Sequence, residues 1–181
     1  MYIWVAIDVN EQVGQLREKA ENYVSTHGLS SPTLTLPFHI SLKISFQIPD
    51  NRCQEAMQDI REFLKSLKPF SIVAREIEQN GPIIWIAMEE NTELTYIHKR
   101  LDEMLLEKYG VAQHAFDKAF LFHTSVLMID HEEQLLRAFH TMKDSNIPKV
   151  LKAETFIIGS SETGQAGTYR VNEEIALTAI C

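Results

Sequence analysis

Between Phe38 and Ile48 apolar and polar residues alternate without a break. Phe38, Ile40, Leu42, Ile44 and Phe46 fall on one side, and His39, Ser41, Lys43 and Ser45 on the other. A period of two is the pattern of a β-strand with one face against a core, and a helical period does not fit it. Pro49 ends the segment. A chain holding such a strand must build a sheet around it, and the polar face of that strand opens on something other than core.

The remaining segments supply further strands and the helices to cover them. Residues 2–8 are β-branched and aromatic, as a buried strand should be. From about Glu11 to His27 the period changes to helical, with Val13, Leu16, Ala20, Tyr23 and Val24 on one face and Gly28 as a stop. Asp50 and Asn51 are placed to cap a second helix whose apolar face carries Met57, Ile60, Phe63, Leu64 and Leu67. Residues 70–78 and 83–88 read as strands joined by a turn over 79–82, followed by a helix over about 93–109 closed by Gly110. Ala119–Ile129 reads as a strand, Glu132–Lys143 as a helix, and 150–158 and 169–179 as the last strands. Gly159–Thr168, rich in Gly, Ser and Thr, reads as a flexible rim. The order is β-α-β-α-β followed by β-α-β-α-β-β. It implies an α+β fold of mainly antiparallel sheet, whose two halves pack as one unit with a cleft between them. With 181 residues and no linker, the expectation is a single two-lobed domain over 1–181.

Charge narrows the partners. There are 17 Lys and Arg against 25 Asp and Glu, a formal charge of −8. Gripping a long nucleic acid takes many cation–phosphate contacts, so no extended nucleic-acid surface is expected. The acids cluster in the helical segments, whereas Phe38–Ile48 carries no acid and one lysine. A small phosphorylated ligand therefore remains compatible with the balance. The opening residues lack a basic leader and no segment approaches the ~20 apolar residues of a membrane span. Two cysteines, Cys53 and Cys181, make no disulfide framework. The expectation is a soluble, cytoplasmic monomer with no membrane partner.

Two short motifs carry the chemistry: His39-Ile40-Ser41 and His123-Thr124-Ser125. On a strand, residues i and i+2 share a face, so each imidazole has a hydroxyl beside it. Two such units around one phosphate offer hydroxyls to its oxygens and a pair of imidazoles to move protons. The spacing is common by chance, and the rival readings are a surface histidine at 39 and a satisfied, partly buried histidine at 123. Context separates them: His39 lies on the polar face of its strand, away from Phe38 and Ile40, whereas His123 shares its face with Leu121 and Leu127. Lys43 shares the face of His39 and Ser41 and could neutralise phosphate, although a solvated lysine is the commoner role. Tyr169 follows the Gly/Ser/Thr-rich segment and could stack on a base or pack on the sheet. Trp4, Trp85, Phe38 and Phe122 read as core. His27, His98, His114, His131 and His140 show no ligand spacing, with His114 and His131 placed to reach a cleft mouth. No metal or cofactor is expected.

The tetrads HISL and HTSV, about 84 positions apart on strands, resemble those of the two-histidine (2H) phosphoesterase superfamily. That superfamily includes the bacterial RNA 2′,3′-cyclic phosphodiesterases, or 2′-5′ RNA ligases. The opening strand and the closing strand pair around a Gly-containing loop are similar too, so the resemblance spans Met1 to about Leu177. It implies two pseudo-symmetric lobes of antiparallel sheet with helices outside and a cleft between the sheets, and a metal-independent phosphodiesterase acting on 2′,3′-cyclic or 2′-5′ linked phosphodiesters of a nucleotide or short RNA end. It implies His39 and His123 as the acid–base pair, with His123 favoured as base, and Ser41 and Ser125 as phosphate ligands. The alternative within the same fold is a module that binds a nucleotide or RNA end without turning it over. A structural protein with incidental histidines is a third.

Overall fold

The computed structural model describes residues 1–177, apart from the side chains of Lys118 and Ala119. The thiol of Cys181 and the last two residues of the strand expected over 169–179 lie outside the described residues. In chain order the elements are β1 (Tyr2–Asp8), α1 (Gly14–Thr26), β2 (His39–Gln47), α2 (Cys53–Lys65), β3 (Phe70–Asn80) and β4 (Ile83–Met88). There follow α3 (Thr92–Tyr109), β5 (His123–Met128), α4 (Glu132–Met142), β6 (Val150–Ala153), β7 (Thr155–Ser161) and β8 (Arg170–Ala176). Among the described residues no helix is long and apolar enough to cross a membrane.

All eight strands join in one antiparallel sheet of order β6-β3-β4-β5-β2-β1-β7-β8. The α+β, antiparallel expectation holds, with one correction: the cleft lies along one sheet rather than between two. The order is symmetric about the β5–β2 junction, where the pairing is the single register Ile40↔Thr124. The lobes are also not the two halves of the chain. β3, from the first half, sits beside β4, and β7, from the second, sits beside β1. The segment 150–158, expected as one strand, is divided at Glu154, because β6 pairs with β3 at one end of the sheet and β7 with β1 near the other.

One face of the sheet packs on the helices. Ile3, Val5 and Ile7 of β1 enter the main core with Leu16 and Ala20 of α1, Ile60 and Leu64 of α2, and Leu101 of α3. The opposite face of β1 is covered as well: Trp4 and Ala6 form a small cluster with Ile157, against which Leu36 and Tyr169 pack. A strand covered on both faces reads as a continuous apolar run, as residues 2–7 do. Asn91 caps α3 by accepting the Leu94 N–H at 2.9 Å, and Gly110 ends it at φ 67°, a left-handed conformation that favours glycine. The side chain of Asp50 does not cap α2; it pairs with the N-terminal amine at 2.6 Å.

The alternation of β2 is interrupted in the structure. The register runs Ala6↔Ser41, Val5↔Lys43 and then Ile3↔Phe46, so β2 carries extra residues between Ser41 and Phe46. Such bulges re-aim side chains. Ile44 consequently lines the cleft instead of the core, and Lys43 is buried instead of solvated.

Candidate active site

The Ile40↔Thr124 pair fixes the centre of the site. Both side chains are fully buried, so their neighbours in each strand face the other way, into the cleft. Continuing that antiparallel register sets His39 across from Ser125 and Ser41 across from His123. Diagonal neighbours of this kind lie roughly 7–8 Å apart, within reach of a single phosphate. The cleft holds about 660 Å³, and His39, Ser41, His123, Lys43 and Tyr169 are among its lining residues. Ser125, half-buried on β5, is placed by the alternation and is not among them.

Each imidazole is held in the same way. His39 Nδ1 lies 2.8 Å from the Pro37 carbonyl, and His123 Nδ1 lies 2.7 Å from the Leu121 carbonyl. A carbonyl oxygen can only accept, so in both rings Nδ1 carries the proton and donates it. In the neutral ring Nε2 is then the free base. Each ring also rests on a tryptophan from the adjoining strand: Trp4 of β1 against His39 at 4.8 Å between centroids, and Trp85 of β4 against His123 at 4.2 Å. Both tryptophans are buried as expected, but as walls of the cleft and supports for the histidines. Nothing local in a fully apolar strand marks that face.

The environment disfavours charge on both rings. Burial pushes His39 below its ordinary value near 6.5; the Pro37 carbonyl opposes this, a charge on His123 adds to it, and Asp8 opposes it. Burial likewise lowers His123, against the Leu121 carbonyl. At neutral pH both imidazoles are therefore predominantly bases, and a proton on one opposes a proton on the other.

Lys43, expected as a phosphate ligand, lines the cleft with its ammonium already engaged. It is 2% exposed, its ammonium donates to Asp117 and lies 2.7 Å from Asp102 Oδ1, and both carboxylates are themselves largely buried. It is the one lysine or arginine among the described lining residues, and its charge is already balanced. With His98, Asp102 and Asp117 form a cluster of metal-ligating types, but the carboxylates already hold the Lys43 ammonium. In the sequence His98 has no histidine one turn on; the carboxylate at that spacing, Asp102, is the signal that marks the cluster. Tyr169 does reach the cleft, where its hydroxyl donates to the Gly164 carbonyl at 3.2 Å and lies 2.5 Å from Ser45 Oγ.

Other expectations resolve outside the site. His114 accepts the Phe116 N–H at the start of a 3₁₀ helix, Ala115–Ala119, and His131 stands before α4; neither lines the cleft. Phe38 is core, as expected, and Phe122 packs against that core partly buried. Of the segment 159–168, Gly159–Ser161 belongs to β7, and the remainder is tied by Ser161 Oγ and Thr168 Oγ1 at 2.6 Å. Gly159 lies opposite Trp4, and a Cβ there would stand 2.0 Å from Trp4 Nε1, so only glycine lets the indole lie flat on β7.

A family model described as the 2′-5′ RNA ligase superfamily matches residues 3–165. A Bacillus pumilus protein whose name proposes a phosphoesterase is 27% identical over 139 residues, covering 68% of this chain and 81% of that protein. TT0787 of Thermus thermophilus superposes with a TM-score of 0.66 at 18% identity over 98% of both chains. E. coli LigT complexed with 3′-AMP superposes at 0.57 with 16% identity over 98% of both chains. Kluyveromyces marxianus Usb1 does so at 0.53 with 13% identity, over 97% of this chain and 98% of that one. These structures share the fold.

Proposed function

The chain belongs to the 2′-5′ RNA ligase superfamily, the two-histidine phosphoesterases, and from that premise we propose that it is a metal-independent phosphodiesterase of small 2′,3′-cyclic or 2′-5′ linked nucleotide phosphodiesters. The observation that carries this reading is the paired placement of His39 and His123, each with Nδ1 committed to a carbonyl and each on the cleft face beside Ile40↔Thr124. One neutral Nε2 takes a proton from water as its oxygen bonds to phosphorus. The other imidazole, protonated, gives its proton to the departing ribose oxygen as the P–O bond breaks. Mutual repulsion between the rings opposes protonating both at once, so the reactive state is the one that carries a single proton. His123 is our choice for base, since His39 has Asp8 nearby to favour its charged form. Ser41 and Ser125 donate to the non-bridging oxygens, and the aromatic walls, Tyr169 among them, receive the base. LigT structures complexed with 3′-AMP, ATP and NADP+ support a nucleotide as the ligand. With Lys43 balanced and the chain acidic, a mononucleotide or short RNA end is the size we assign.

The test is a panel of nucleoside 2′,3′-cyclic phosphates and short cyclic-phosphate-ended RNAs, with product regiochemistry read by NMR. Turnover that persists in EDTA is expected. Ligands that raise the melting temperature yet are never consumed would replace the enzyme by a binding module, and neither effect would leave a structural protein.

A further inference from the structure

Beyond Ile40 the β2 strand has no β5 partner. Residues 114–122 reach it through Asp117 and carry exposed apolar side chains to the cleft rim: Phe116 is 72% exposed and Leu121 66%. Side chains so exposed bury too little surface to hold the segment in place. At its far end Phe122 packs on the core and its carbonyl accepts the Met88 N–H at 3.3 Å; the rest is anchored by a buried polar cluster. Lys43 of β2 donates to Asp117 Oδ2, which also accepts the His114 N–H at 2.7 Å and closes the capping box of the 3₁₀ helix. Asp102 of α3 shares the lysine at 2.7 Å. His98 of α3 donates from Nδ1 to the Leu42 carbonyl at 2.8 Å, brings Nε2 to 3.3 Å from the Asp117 carbonyl, and stacks on Phe120 at 4.4 Å between centroids.

Four residues after Asp117, the same segment supplies the Leu121 carbonyl that takes the proton of His123 Nδ1. The path from Lys43 to the imidazole is therefore short and continuous. We propose that Lys43 is a positioning residue for His123: through Asp117 it pins residues 114–122 in place of the strand pairing β2 lacks, and so sets the carbonyl that fixes the tautomer and direction of the ring. A lysine in this role contributes nothing directly to phosphate binding. A ring freed from its carbonyl presents either nitrogen to the cleft, and a misplacement of about 1 Å can cost ~10²-fold in rate.

The inference rests on His123 belonging to the proton-transfer pair, but its readout needs no turnover. In Lys43→Met, of similar length and uncharged, the ¹⁵N signals of the His123 ring should move away from those of a fixed Nδ1–H tautomer while those of His39 stay. With a nucleoside 2′,3′-cyclic phosphate, kcat should fall about 10- to 100-fold with little change in KM. Unchanged His123 signals overturn the proposal; weakened binding of inorganic phosphate beside unchanged His123 signals makes Lys43 a phosphate ligand instead. Losing the lysine strands two buried carboxylates and could unfold the protein. Lys43→Met with both Asp102→Asn and Asp117→Asn removes that burden, because an amide oxygen at position 117 can still accept from His114 while the tie to β2 is cut. It should show the same His123 change, and native His123 signals in this variant equally overturn the proposal. Lack of activity in the wild type sinks the phosphodiesterase reading and leaves the tautomer experiment standing.

Discussion

Arg17 and Lys43 each support the chain leading into one of the two histidines. Arg17, on α1, donates to the Leu34 and Leu36 carbonyls at 3.0 and 2.7 Å and lies over the Phe38 ring. It thereby holds the lead-in to His39 directly. Lys43 reaches the lead-in to His123 only through the Asp117 carboxylate. The strands differ in the same sense. β1, next to the His39 strand, is paired along its length with both β2 and β7, whereas β5 is fully paired with β4 and touches β2 at one register. The tryptophan supports differ too: Trp85 reaches Glu78 at 3.4 Å, while Trp4 Nε1 is buried without a partner among the described residues. Both imidazoles sit on the first residue of a strand paired with its neighbour, His39 with Asp8 and His123 with Ala87; what differs is the brace on the chain that leads into each. Equivalent chemistry does not require equivalent scaffolding, provided each mount fixes the same nitrogen.

The largest effect should come from the histidines themselves. His39→Ala and His123→Ala are each expected to lower kcat about 10²–10⁴-fold on a nucleoside 2′,3′-cyclic phosphate. The double variant should be little worse than the poorer single one, since groups acting as a unit are not additive. Near-native turnover in either single variant would break the equivalence of the lobes. Next, Arg17→Met should destabilise the fold by about 1.5–3 kcal/mol, the range for hydrogen bonds to a charged group, measured by urea unfolding. Its ¹⁵N signature should mirror that of the lysine variant, with His39 shifted and His123 unmoved; movement of both rings would mean that the mounts are not independent.

The smallest effect is a slope. Both imidazoles are pushed below their ordinary value near 6.5 by burial, so the unfolded chain binds more protons than the folded one just below that pH. Stability should be complete above pH 6.5 and decline as pH falls toward the folded-state values. Asp8 and the Pro37 carbonyl limit the decline at His39, and the Leu121 carbonyl limits it at His123. A melting-temperature series from about pH 7.5 to about pH 5 checks this, and His39→Gln and His123→Gln should each flatten it in part. A variant that leaves the slope intact identifies a ring whose burial is relieved by something else.

Much of this architecture was legible because it is written locally. Helical periods place α1 through α4 within a few residues, and the alternation of Phe38–Ser41 puts His39 and Ser41 on the polar face. What escaped was set by distant partners. The bulge that buries Lys43 and turns Ile44 outward depends on where Val5 and Ile3 sit opposite β2. The division at Glu154 follows from two different strands claiming its two sides. The role of Trp4 depends on Gly159, far along the chain. None of these has a signature in a short window of sequence.

The sheet order also bears on when the protein can work during its own synthesis. The four strands of the His123 lobe come from the unbroken stretch 70–153, whereas the His39 lobe joins β1 and β2 to β7 and β8 at the other end of the chain. As the chain leaves the ribosome, the His123 lobe can close before the final strands exist. The His39 lobe must wait, because Tyr2 pairs with Ser161 and the intervening chain has to be gathered first. The nascent protein would then hold a finished half-cleft and an open one. His39, the earlier of the two histidines to be synthesised, would be the later to gain its full support.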